Sequence, residues 1–226
     1  MISHKTAWIA ASLLAALVCG GPILANPSGP AGPAPGEADR LFARMLERSR
    51  QVRDFRARFN QRLFSRGLAV PAEESGEVLY LRPGKMRWDY EEPEKKLALS
   101  DGKNGWLYLP EENRAIRMDL TASVGVGPLA DLLAGNEQAL PAFRASRLPD
   151  DPGLVGLRLV PLVPREEFDA IELRADAASL RLKQIDVVDP GGNRMTFRFS
   201  EMTENTGLPE SLFAFAPPPG TRIEEP

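Results

Sequence analysis

Histidine and cysteine are nearly missing from this 226-residue chain: His4 and Cys19 are the single copies, and both fall before residue 26. Beyond that point no Ser-His-Asp triad, no cysteine nucleophile and no histidine or thiolate metal ligand can be assembled. No disulfide can form either, so the fold must hold by core packing alone, which about 200 residues can supply as one domain. Long apolar runs are missing too; after the first 25 residues no stretch could cross a bilayer as a helix. Neither charge sign dominates, with 28 Lys and Arg against 31 Asp and Glu. That balance carries no footprint of a nucleic-acid partner, and the composition is not that of a disordered chain.

What is present begins with an export signal. His4 and Lys5 give a short positive start, and Trp8 to Val18 is an apolar run too short to span a membrane. Ile23, Leu24 and Ala25 offer a cleavage site before Asn26. Cys19 raises the alternative of lipidation, but Leu17 and Val18 precede it where a lipidation site wants a small residue at once before the cysteine. The expected organisation is a signal over 1–25 cleaved near Ala25, a Pro/Gly leader over 26–36, and one domain over 37–226. Loss of Lys5 takes the net charge from −3 to −4.

From Glu37 to about Val52 the spacing is helical, with Leu41, Phe42, Met45, Leu46 and Val52 on one side. Phe55, Ala57, Phe59, Gln61 and Leu63 then alternate as a first strand, and 65–74 reads as a loop. Residues 76–109 carry the strongest signal. Period-two stretches there are separated by Pro83-Gly84, Pro93 and Asp101-Gly102, the pattern of antiparallel strands joined by tight turns. Met86, Trp88 and Tyr90 share one face while Lys85, Arg87 and Asp89 share the other; Trp106 and Tyr108 are expected to extend the aromatic face. Such a face is either an ordinary core or the wall of a cavity for something greasy.

Further on, 115–118 reads as a strand, and Leu129, Leu132 and Leu133 form a short helix stopped by Gly135. Strands resume at 154–163, 168–175 and 180–188. A turn at Asp189 to Asn193 follows, then the alternating Met195, Phe197 and Phe199. Leu212 to Gly220 closes the chain as a strand or extended segment. About ten strands with so little helix point to one mainly β, strongly curved antiparallel sheet, an unclosed half-barrel with a small helical cover.

That order, with the residues themselves, resembles the periplasmic outer-membrane lipoprotein carrier (LolA) family. The matching parts are the first helix leading into Phe55 to Gln61, the run from Gly76 to Trp88, and Pro93. They continue with Ser100-Asp101-Gly102, Trp106 to Tyr108, and Phe213 to Gly220. The resemblance implies a non-enzymatic periplasmic chaperone with no cofactor. Such a carrier takes triacylated lipoproteins from an inner-membrane lipoprotein-releasing ABC transporter and passes them, as a monomer, to an outer-membrane receptor. It implies an acyl-chain cavity walled here by Phe59, Met86, Trp88, Tyr90, Trp106 and Tyr108, and a lid that includes Leu129, Leu132 and Leu133. It also implies a lid latch at Arg82, whose guanidinium has five donors to bridge backbone carbonyls. Met86 departs from the pattern, since the family often has an aromatic two residues before the tryptophan. The alternatives are a membrane-anchored receptor of the same fold, acylated at Cys19, and a periplasmic scavenger or sensor of another hydrophobic ligand. The acidic pairs at 73–74, 91–92 and 166–167 read as solvated surface rather than paired catalytic carboxylates.

Overall fold

A computed structural model describes residues 36–67, 70–119 and 141–225. The signal and leader, and the stretch containing Leu129, Leu132 and Leu133, lie outside these. Helix α1 (Glu37–Arg50) is followed by β1 (Asp54–Phe64), β2 (Ala72–Leu81), β3 (Lys85–Glu92), β4 (Lys96–Ser100), β5 (Asn104–Leu109) and β6 (Arg114–Asp119). The second half holds β7 (Phe143–Arg147), β8 (Leu154–Pro161), β9 (Ala170–Asp176), β10 (Leu182–Val188), β11 (Arg194–Glu204) and β12 (Arg222–Glu224). All twelve strands form one sheet in the order β12-β6-β5-β4-β3-β2-β1-β11-β10-β9-β8-β7. Every pairing is antiparallel except β12 on β6. β12 and β7 form the two edges, so the sheet is mainly β, antiparallel and unclosed, as the alternation predicted.

The sheet curls strongly. Trp88 on β3 and Phe197 on β11 are three strand spacings apart, about 14 Å in a flat sheet. Their ring centroids lie 5.3 Å apart, which requires the concave face to fold in on itself. At the tightest approach Gly76 on β2 faces the backbone of β3: a Cβ there would fall 1.9 Å from the Asp89 carbonyl oxygen. A side chain at 76 would therefore push the two strands apart.

Register assigns each residue to a face. Across β1 to β6 one concave row runs Ala57, Val78, Trp88, Ala98, Leu107, Ile116. The neighbouring convex row runs Leu79, Arg87, Leu99, Trp106, Arg117. This corrects one expectation: Trp106 and Tyr108 do not share the face of Met86, Trp88 and Tyr90. Both lie on the convex side against Phe215, each with a centroid distance of 5.4 Å. Four residues, 101–104, separate the paired Ser100 and Gly105, and this count places Leu107 and Leu109 in the main core instead.

Two further expectations shift. Residues 72–74 begin β2 rather than ending a loop, and Glu74 is not solvated surface: it accepts from Gln61 Nε2 at 3.0 Å and pairs with Lys96. Of the two alternatives for the segment after Leu212, the extended one holds rather than the strand. Glu210–Phe213 is a single 3₁₀ turn, and the short β12 comes later.

Helix α1 lies over the concave side. Its stripe of Leu41, Phe42, Met45 and Leu46 is buried in the same cluster as Phe59, Val78 and Trp88. Phe42 meets Phe143 of β7 edge-on at 6.5 Å. Glu37 and Asp39 in its first turn and Arg48 and Arg50 in its last complement the helix dipole.

Candidate functional site: the helix-covered concave face

The concave face is walled by large apolar side chains that touch one another. Phe59 packs edge-on against Trp88 at 4.9 Å and Tyr90 at 5.0 Å, and Trp88 continues to Phe197 and Phe199. Met86 is buried in the next row, opposite Tyr80 and Ser100. One end of this face is closed by a polar group. The Tyr90 hydroxyl donates to Gln61 Oε1 at 2.8 Å, Gln61 donates to Glu74, and Lys96 bridges Glu74 and the Tyr90 ring. Burial drives the Tyr90 phenol well above its ordinary pKa, and the Glu74 charge adds to the shift.

At the other end, a cavity opens between α1 and the strands. Met45, Leu46, Val52, Phe55, Leu173 and Phe199 are among its apolar lining, with Arg48, Arg181 and Glu204 at its polar part. The cavity has a volume of about 60 Å³, where one water needs roughly 10–15 Å³. That space suits a few waters; an acyl chain would need α1 to move.

What holds α1 is therefore decisive. A helix ends with four carbonyls that lack intrahelical partners. Arg82, at the end of the β2 side of the hairpin, supplies donors to this end: Nη2 reaches the Ser49 carbonyl at 2.9 Å and Nε the Val52 carbonyl at 3.3 Å. Its own amide donates to the Arg53 carbonyl at 2.8 Å. Just past the end of β11, Asn205 Nδ2 donates to the Gln51 carbonyl at 3.1 Å. A second tie crosses the cavity mouth, where Glu204 on β11 pairs with Arg48 of α1 and with Arg181 at 3.4 Å. Asp54, 2% exposed, braces the same corner by accepting from the Thr206 and Gly207 amides at 2.8 and 3.1 Å and from the Thr206 hydroxyl at 3.0 Å. Burial works against its charge, yet these donors hold the carboxyl below its ordinary 3.8.

The family comparison matches residues 50–216, from the last residue of α1 past the end of β11, to the outer membrane lipoprotein carrier protein LolA. The chain belongs to the LolA family. This LolA-family chain is 33% identical over 167 residues to an outer-membrane lipoprotein carrier protein of Chromobacterium violaceum, covering 74% of this chain and 79% of the relative. To the carrier protein of Methylibium petroleiphilum it is 31% identical over 173 residues, covering 76% and 83%. Among solved structures, an uncharacterized conserved protein of Thermus thermophilus shares the fold. Its TM-score is 0.52 at 15% identity, covering 81% of this chain and 98% of that one.

Within this LolA-family fold the structure gathers Phe59, Met86, Trp88 and Tyr90 on the concave wall and leaves Trp106 and Tyr108 behind it. Arg82 faces α1; Leu129, Leu132 and Leu133, expected in the lid, lie outside the described residues. Sequence reasoning did not single out α1 itself as the cover, nor Phe55, Phe197 and Phe199 as wall. The signal for the phenylalanines was present in their alternation; which strands would meet across the curl was not.

Proposed function

We propose that this protein is a periplasmic carrier that shields the acyl chains of lipoproteins between the inner membrane and a receptor at the outer membrane. The observation that carries this reading is the cover. The apolar concave face shares its core with a helix attached by guanidinium–carbonyl bonds, an ion pair and packing rather than by strand pairing. Burying methylenes gives about 0.8 kcal/mol each, so a sixteen-carbon chain is worth on the order of 12 kcal/mol. Three chains held fully dry would far exceed the ceiling of non-covalent affinity, about 18–21 kcal/mol, and would not be released.

A carrier needs a competing state, and α1 packed on the wall supplies one. Loading must exchange the contacts of Phe42, Met45 and Leu46 for acyl contacts and must loosen the end of α1 that Arg82 holds. Release regains them. Arg82 thus acts as the latch that favours unloading, and an inner-membrane ABC transporter supplies the work of loading. Phe59, Met86, Trp88 and Tyr90 line the acyl site; the leucines at 129, 132 and 133 complete the lid. Export by the segment before Asn26 places the carrier in the periplasm, where it works by binding alone.

The test is native mass spectrometry of the protein with a triacylated lipopeptide and with its unacylated twin. A complex with the acylated form alone is expected; binding neither, or both alike, removes the carrier reading and leaves the fold standing.

A further inference from the structure

Two tyrosines of the concave face are buried, and their hydroxyls differ in what they meet. That of Tyr90 donates to Gln61. Tyr80, 1% exposed, has a hydroxyl with no hydrogen-bond partner among the described residues. A buried donor left unmade is rare in a native fold and costs the stability that a satisfied one would return. A phenylalanine at 80 would fill the same space without that cost.

The position explains what the hydroxyl could serve. Tyr80 sits between Phe55 and Met86 in register and stacks on Phe55 at 5.4 Å with the rings 25° apart. Phe55 is itself part of the cavity lining under α1. Two residues on, Arg82 holds the end of α1 that must loosen for loading. A chain entering beside Phe55 brings its one polar group, the ester carbonyl, to this end of an otherwise apolar wall. That carbonyl only accepts, and burying it without a donor is penalised. Tyr80 offers a donor that no described protein group uses.

We propose that the Tyr80 hydroxyl donates to an ester carbonyl of the acyl ligand, so that the site selects ester-linked chains over bare hydrocarbon of the same length. This rests on the carrier reading above and names the group within that site which fixes where one ester-linked chain begins. The phenol is suited to this role because burial raises its pKa, only partly offset by the nearby Arg82 charge, and so keeps it a donor.

The experiment compares two ligands, a triacylated lipopeptide and its analogue with both glyceryl esters replaced by ethers, against the wild-type protein and Tyr80→Phe. The wild type is expected to bind the ester form about tenfold more tightly. Tyr80→Phe should bind both ligands with the wild type's affinity for the ether, and its melting temperature should not fall. A wild type without ester preference overturns the proposal and needs no variant to do so. A variant that keeps the preference, or that weakens equally on both ligands, overturns it as well. Failure of the wild type to bind either ligand defeats the carrier reading, and this inference falls with it.

Discussion

The two faces of β3 to β6 carry similar chemistry under different covers. On the concave side Met86, Trp88, Tyr90, Leu107 and Leu109 are buried in the curl of the sheet, in the same cluster as the α1 stripe, while α1 itself packs on β7 and β8. On the convex side Leu79, Leu97 and Leu99 are buried outside that main cluster, on the face where Trp106 and Tyr108 meet Phe215. The convex cover is the C-terminal segment. It is fixed by backbone pairing of β12 with β6, by Arg87 donating to the Leu212 carbonyl at 3.1 Å, and by Lys85 on Glu210. The concave cover pairs with no strand. The difference teaches which face can open: a strand added to an edge is lost only with its ladder, whereas a latched helix can swing once a few side-chain bonds release.

The comparison breaks most severely at its centre. Trp88→Ala removes the ring that joins Phe59 to Phe197 and Phe199, and should cost about 3–5 kcal/mol in urea unfolding. If Trp88 were merely peripheral, the loss would stay under about 1 kcal/mol. Next in size is Arg82→Leu. Removing charged donors from the Ser49 carbonyl of α1 and the Val52 carbonyl just beyond it should cost about 1–3 kcal/mol. The variant should still accept acylated lipoprotein and deliver it poorly to receptor-bearing membranes. Normal delivery would show that the latch on α1 does not drive release.

A smaller effect separates the faces by pH. Asp54 braces the α1 corner and has no counterpart among the described residues of the C-terminal segment. Its folded pKa is depressed, so its contribution is complete above the ordinary value of 3.8 and disappears as pH falls below it. Asp54→Asn should therefore lower stability near neutral pH and flatten its fall in acid; equal acid slopes for variant and wild type would rule out this role. The smallest change is expected for Phe215→Ala, about 1 kcal/mol, since its side chain is only half-buried. Ligand affinity should not move, because the convex aromatics do not line the acyl site. An affinity loss as large as that of a concave variant would erase the distinction between the faces.

Much of this was legible before folding was considered. The period-two runs from Gly76 to Leu109, with Pro83-Gly84 and Asp101-Gly102 between them, specify antiparallel hairpins because those turns admit few other conformations. The stripe from Leu41 to Leu46 specifies a helix with one buried side. Arg82 was picked out by the family resemblance, and its alternation with Val78 and Tyr80 only set it on their face. Glu74 could not be read correctly: its partners Gln61 and Lys96 are local in the sheet but distant along the chain.

The sequence alone determined the elements, the exclusion of histidine and thiol chemistry from the domain, and the apolar character of one strand face. Tertiary structure decided which aromatics share that face, because one residue more or less in the turn at 101–104 inverts every side chain beyond it. It also decided that Phe197 and Phe199 meet Trp88, since only curling brings β11 back to β3. And it alone left the Tyr80 hydroxyl buried without a partner among the described residues while giving Tyr90 one. Local alternation sets which way a side chain points, but whether its polar atom is satisfied depends on what the rest of the chain brings to meet it.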